Sequence, residues 1–215
     1  MIPYDEVTEE ILAKETYKIY PYGSRVYHTA NENSDYDYLI VLKPNSTLLD
    51  NNTNFYTFWD RSYHLYSYKN WVEGLKEGKI NLLEAYFWSS KANLIEPIDV
   101  NKDLIRESVS ATASNSFVKC KKKLCVPEDY DPYIGRKSLW HSLRLFSFGI
   151  QLMEANCIYD YTVANKWYND VVNVDHPGTT EWVYLKEKYQ PIYNKLHTDF
   201  KIAHNTHKGE LIHLT

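Results

Sequence analysis

The sequence predicts an α+β protein, with its strands in the first half and helices through the second. Two stretches carry that expectation. Asp35 to Leu42 (Asp-Tyr-Asp-Tyr-Leu-Ile-Val-Leu) opens in alternation and ends apolar on both faces, as a strand inside a sheet does. From Asn101 onward apolar residues recur at helical spacing, interrupted at Pro127 to Pro132 and at Pro177-Gly178. No internal repeat or low-complexity tract is apparent.

Taken in order, Val7 to Glu15 reads as a short helix resting on Ile11 and Leu12. Tyr17 to Tyr20 is β-prone and is expected to stop at Pro21, which has no N–H for a ladder. Gly23-Ser24 marks a turn, and Lys43 to Asn54 a polar loop. Phe55 to Trp59 and Ser62 to Tyr68 read as strands of a hairpin joined at Asp60-Arg61. Asn70 to Lys76 is helical up to Gly78, and Leu82 to Trp88 starts another helix before Pro97 closes this half. Helices are then expected at about 101–125, 134–156, 162–174 and 179–205. The expected division is an α/β core over 1–98 and a helical domain over 99–215 that completes a ligand cleft.

Bulk properties narrow the class. A chain of 215 residues, 44% hydrophobic, has enough apolar material for a sizeable core. Twenty tyrosines place much of that material where a polar tip is useful, at clefts and surfaces. A net charge of −4 argues against a surface coated uniformly for nucleic acid, while leaving room for a local basic patch. Cys120, Cys125 and Cys157 lack metal-ligand spacing and read as reduced thiols of a cytoplasmic protein. The start is acidic rather than basic-then-apolar, and no apolar run approaches a membrane span, so no membrane partner is expected.

The chemistry concentrates around Asp35 and Asp37. Residues two apart on a strand share a face, so these carboxylates project together and repel. A hard divalent cation, Mg²⁺ or Mn²⁺, relieves that repulsion and bridges to phosphates. Upstream, Gly23-Ser24 lets backbone approach a phosphate closely, and Arg25 adds charge. The bland alternative is a pair of aspartates at the exposed end of a strand. The coincidence of strand, Gly-Ser turn and Asp-x-Asp favours a functional site.

Gly23-Ser24, its spacing, and Ser34-Asp35-Tyr36-Asp37 resemble the signature of DNA polymerase β-like nucleotidyltransferases. Lys69 to Glu84, with Leu82-Leu83-Glu84, resembles the helix pair that follows the catalytic strands in predicted nucleotidyltransferases of bacteria and bacteriophages. Lys137, His141 and Arg144 resemble that branch's helical-half motif. The resemblance implies a small mixed β-sheet core with flanking helices. It also implies transfer of a nucleoside monophosphate from a triphosphate, with ATP the expected donor, to a hydroxyl on RNA (tRNA-like) or protein. Asp35 and Asp37 would hold the metals, and Gly23 and Ser24 the triphosphate. The family's third carboxylate, from a later strand, has no evident counterpart. Asp60, Ser62 and His64 are the residues available, with His64 the candidate base or ligand. In a phage-encoded protein the location would be the host cytoplasm.

In the helical half, Lys137, His141 and Arg144 share one helix face, extended by Phe148 and Gln151. Leu139, Leu143, Phe146, Ile150 and Met153 form the expected core side. The cationic stripe is either solvated surface or, by the resemblance, a set of phosphate contacts. Lys119, Lys122 and Lys123 share a face of the preceding helix and suit a polyanionic acceptor, though charge runs are commonly solvated surface. Besides an active transferase, two readings stay open: a module that binds nucleotide or RNA without catalysis, and the interaction partner of a toxin. Oligomeric state has no signature here.

Overall fold

The computed structural model describes residues 9–49, 53–89, 94–174 and 180–215. Val7-Thr8, residues 50–52 of the polar loop and Pro177-Gly178 lie outside them. The chain divides into two compact units, Met1–Asp99 with His213–Thr215, and Val100–Ile212.

The first unit is built on a four-stranded mixed sheet. Helix α1 (Glu9–Glu15) leads into β1 (Thr16–Tyr22), followed by β2 (Tyr36–Leu42), β3 (Thr53–Phe58) and β4 (Arg61–Tyr66). The spatial order is β1-β2-β4-β3: β1 and β3 are antiparallel to their neighbours, and β2 runs parallel to β4. Central strand β2 carries the most apolar run, Leu39 to Leu42, all buried, as a sheet interior requires. On one face Ile40, Leu42, Tyr56, Tyr63 and Leu65 pack with Leu12 of α1 and with Leu48 and Leu49. Each such side chain contributes roughly 1.5–3 kcal/mol on burial.

Helices α2 (Tyr68–Lys76) and α3 (Ile80–Trp88) complete this unit. Ser67 caps α2 by accepting from the Asn70 N–H at 3.2 Å. Trp71 of α2 stacks on Tyr20 of β1, centroids 4.9 Å apart, and Asn81 of α3 donates to the Tyr66 hydroxyl at 3.3 Å.

Several boundaries differ from the sequence expectation. Strand β1 continues through Pro21 to Tyr22, because it is an edge strand and a missing N–H is tolerated there. The hairpin turns at Trp59-Asp60 rather than Asp60-Arg61, with Trp59 at φ 56°. Ser67 serves the next helix instead of extending β4. The expected 162–174 helix is a 3-10 turn, Asn165–Trp167, and a short α6 (Tyr168–Val172). Two strands were not expected at all, β5 (Ile98–Asn101) and β6 (Leu211–Leu214), which pair with each other.

The second unit is helical: α4 (Lys102–Cys125), α5 (Pro132–Ala155), α6 and α7 (Thr180–Thr206). Asn101 caps α4 and Asp131 caps α5. Ile105, Val109, Leu139, Leu143, Phe146 and Phe200 are buried in its core. Gly149 sits at the tightest approach, where an added Cβ would lie 2.7 Å from the Phe200 ring and 3.0 Å from Val109. No helix among the described residues is long and apolar enough to cross a membrane. Gly149→Ala is expected to overpack this junction and cost about 1–3 kcal/mol, read as a lower urea midpoint at unchanged slope.

Candidate active site

Asp35 lies one residue before β2, and Asp37 on its second residue. Asp37 is in register with Tyr22 of β1 and Ser62 of β4. Side chains in register project from the same face. Ser62 is buried, and its hydroxyl makes a long contact to Asp35 Oδ2 at 3.5 Å. Both carboxylates therefore flank one serine on one side of the sheet. Asp35 is exposed and Asp37 partly buried.

The Gly23–Arg25 turn follows β1 directly, so the β1–β2 register delivers it to Asp37. Gly23 holds φ 74°, and a Cβ built on it would lie 2.0 Å from Asp37 Oδ2. Only glycine fits a left-handed backbone against that carboxylate. The Gly23 carbonyl accepts from Val26 N–H at 3.1 Å and Tyr27 N–H at 3.4 Å, and the Ser24 carbonyl from Thr29 N–H at 2.9 Å. The turn is anchored from behind by Tyr27, whose hydroxyl donates to the buried Glu84 of α3 at 2.6 Å. Tyr27 was not singled out by sequence reasoning. No spacing signal links it to Glu84, 57 positions away.

Arg25 has a different setting from the one expected for a phosphate ligand. Its Nη2 donates to the Ser34 carbonyl at 2.7 Å and its Nε to the Asp35 carbonyl at 3.3 Å. The guanidinium lies 3.7 Å from the Tyr36 ring centroid. Arg25 thus grips the loop that presents Asp35. Asn31 and Ser34 stiffen the same loop, the Asn31 N–H donating to Ser34 Oγ at 2.9 Å.

His64 lies two residues beyond Ser62 on β4, in register with Leu39 and Phe55, and its ring meets the Phe55 edge with centroids 4.7 Å apart. Its edge reaches solvent, yet partial desolvation against the sheet pulls its pKa below the ordinary histidine range. Asp60 stays at the hairpin turn, 4.0 Å from Arg61 Nε, and its carbonyl accepts the Tyr36 N–H at 2.7 Å. Among the described residues no group of three or more His, Cys, Asp or Glu side chains is arranged to hold a metal. The acid pair nevertheless suits a hard cation: two carboxylates and a hydroxyl are all oxygen donors, and the bare Gly23 backbone lies directly against the Asp37 carboxylate.

In the second unit, Arg144 is buried and bonded through Nη2 to His141 Nδ1 at 3.0 Å, with its guanidinium 4.9 Å from the Phe148 centroid. Lys137 stands 5.1 Å from the Tyr133 ring centroid. Burial, then the charges of Arg144, Lys137 and Lys119, hold the His141 imidazole well below its usual range. A cationic group from two helices is thereby assembled. Its expected extension is covered: Phe148 and Gln151 are buried, and Gln151 bonds Asp160 and Tyr159 of the following loop. Helix α5 is packed on that side too, against Tyr161 and Ala164. The basic run of α4 also divides, since Lys122 and Lys123 pair with Asp129 while Lys119 belongs with the α5 group.

Two measurements follow. Arg25→Lys keeps the charge but loses the fork, so the unfolding free energy of the ligand-free protein should fall by about 1–2 kcal/mol in urea titrations; unchanged stability would remove the clamp. For His141, the unfolded chain takes up a proton near pH 6.5 and the folded chain resists it. The unfolded state then binds more protons, so stability is expected to fall from pH 7 toward pH 5. His64 adds in the same direction, and His141→Asn should flatten the larger part of that slope in urea titrations.

A family model described as a nucleotidyltransferase domain matches residues 5–123, more than half of the chain. No curated protein matches it. The match takes in the Gly-Ser turn, the acid pair and β4, and it runs on through most of α4. The chain belongs to the nucleotidyltransferase domain family of the polymerase β-like superfamily.

Proposed function

We propose that the protein transfers a nucleoside monophosphate from a nucleoside triphosphate, ATP by preference, to a hydroxyl on RNA or protein, with Mg²⁺ or Mn²⁺. One observation carries this reading: the Asp37 carboxylate lies against a bend that only glycine can form, beside a second carboxylate on the same face. Asp35 and Asp37 would hold the divalent ions. Ions held there would supply charge neutralisation for the phosphates and for the attacking and leaving oxygens.

The chain's own groups do the rest. Gly23 and Ser24 receive the triphosphate through backbone N–H groups and the Ser24 hydroxyl. Arg25 and Tyr27 hold the two arms of the site, Arg25 through the loop before Asp35 and Tyr27 through Glu84. Lys137, His141 and Arg144 are assigned to phosphate binding, and Lys119, Lys122 and Lys123 to the acceptor. Of these lysines, Lys119 is the one without an acidic partner at Asp129. The acceptor oxygen attacks the α-phosphorus, the bond to the β-phosphate breaks, and pyrophosphate leaves. His64 is neutral at pH 7 by its depressed pKa and is the candidate to take the hydroxyl proton.

A second reading has its own support. Ser62 stands in register with Asp37, where an acid on β4 would complete a carboxylate triad. A nucleotide-binding module without transfer is consistent with a serine there.

Incubation with each labelled triphosphate, Mg²⁺ or Mn²⁺, and RNA or protein separates these readings. Label on the acceptor that disappears in Asp35→Asn and Asp37→Asn supports transfer. Triphosphate-dependent thermal stabilisation without label supports the binding module. Ser62→Asp is expected to lower the melting temperature in chelator through carboxylate repulsion, and Mn²⁺ should restore it. A variant indifferent to Mn²⁺ would place Ser62 outside the metal site.

A further inference from the structure

Alternation along β3 puts Phe55 and Thr57 on the face of Ser62 and His64, their register partners, and hence on the face of the acid pair. Toward β1 this face is closed, since Tyr20 stacks on Trp71 and Leu39 and Val41 are buried. Toward the β3 edge it is open. Phe55 is 47% exposed, and His64 beside it is exposed as well. At the hairpin tip Trp59 is 99% exposed. Its neighbour Asp60 is bonded through its carbonyl to Tyr36, the residue between the two acids, so the backbone at the hairpin tip is tethered at the acidic end of the sheet.

No packing contact among the described residues accounts for this tryptophan. It holds φ 56°, a conformation that costs a bulky L-residue about 1–2 kcal/mol. Its ring buries almost no area in return. Strain combined with an exposed ring beside a candidate active site is the pattern of a ligand contact. The neighbours specify its kind. Thr57, Asp60 and the half-exposed Arg61 interleave with the aromatics, unlike the continuous apolar core of a protein interface. Aromatic rings on an open sheet surface, with a cation beside them, are how unpaired bases are held.

We propose that Phe55, His64 and Trp59 form a stacking shelf for the unpaired bases of a single-stranded RNA acceptor, leading its hydroxyl toward Asp35 and Asp37. This rests on the transferase reading and names its acceptor class. Trp59 and Phe55 act as positioning residues.

The test uses the full chain and a single-stranded RNA of about 12 nucleotides, within the range such sites cover. RNA should quench the exposed indole, and the quench should vanish in Trp59→Phe, which keeps a ring for stacking and so most of the affinity. Trp59→Asn suits the left-handed backbone while removing the ring, and should weaken RNA binding by about fivefold or more, as should Phe55→Ala. Both variants should keep the melting-temperature shift given by ATP with Mn²⁺. RNA affinity unchanged in Trp59→Asn and Phe55→Ala overturns the shelf. So does quenching by ATP alone, which would give the shelf to the donor base, or quenching only by a protein acceptor. Absence of any triphosphate shift in the wild type would instead count against the transferase reading, whatever RNA does.

Discussion

The first unit depends on one steric fact: the Asp37 carboxylate occupies the space that any side chain at position 23 would need. Strand pairing delivers the bend to that acid, and the close approach leaves room there for a left-handed glycine backbone alone. Strand pairing then adds Ser62 from β4, and the loop gripped by Arg25 adds Asp35. The backbone that presents Asp35 is held by Arg25 through the Ser34 and Asp35 carbonyls, and that of Asp37 by its pairing in β2.

The Asp-x-Asp strand and its Gly-Ser turn were legible because each rests on local signals: alternation over Asp35 to Leu42, and a residue type with a unique backbone range. Most helices were legible for the same reason. What escaped depends on partners distant in sequence. Arg25 reads as a free cation until Ser34 and Asp35 are seen to offer it carbonyls. Tyr27 has no visible purpose without Glu84. Strand β6 is four residues long, and its alternation means little until β5 is beside it.

The two basic stretches show how charge in a sequence is redistributed by folding. Lys119, Lys122 and Lys123 share a face, yet Asp129, from the turn after α4, claims two of them. The third joins a group centred on a half-covered histidine that stays neutral among cations. Helix α5 misled in another way. Its stripe of Arg144, Phe148 and Gln151 has the composition of a surface, but the 158–161 loop lies over it and answers Gln151 with backbone groups. A polar residue on a helix can thus mark a buried loop contact as readily as solvent.

The first unit is not continuous along the chain, since His213–Thr215 belong to it. The Tyr86 hydroxyl of α3 accepts from the Thr215 N–H and donates to the Thr215 carbonyl, both at 2.9 Å, and Asp99 meets His213 at 2.8 Å. During synthesis these partners leave the ribosome only after the whole helical unit has been made. The first unit, most of which is translated before the helices, therefore acquires these contacts late, and a nascent chain stalled anywhere in the helices carries that unit with its Tyr86 anchor still unmade.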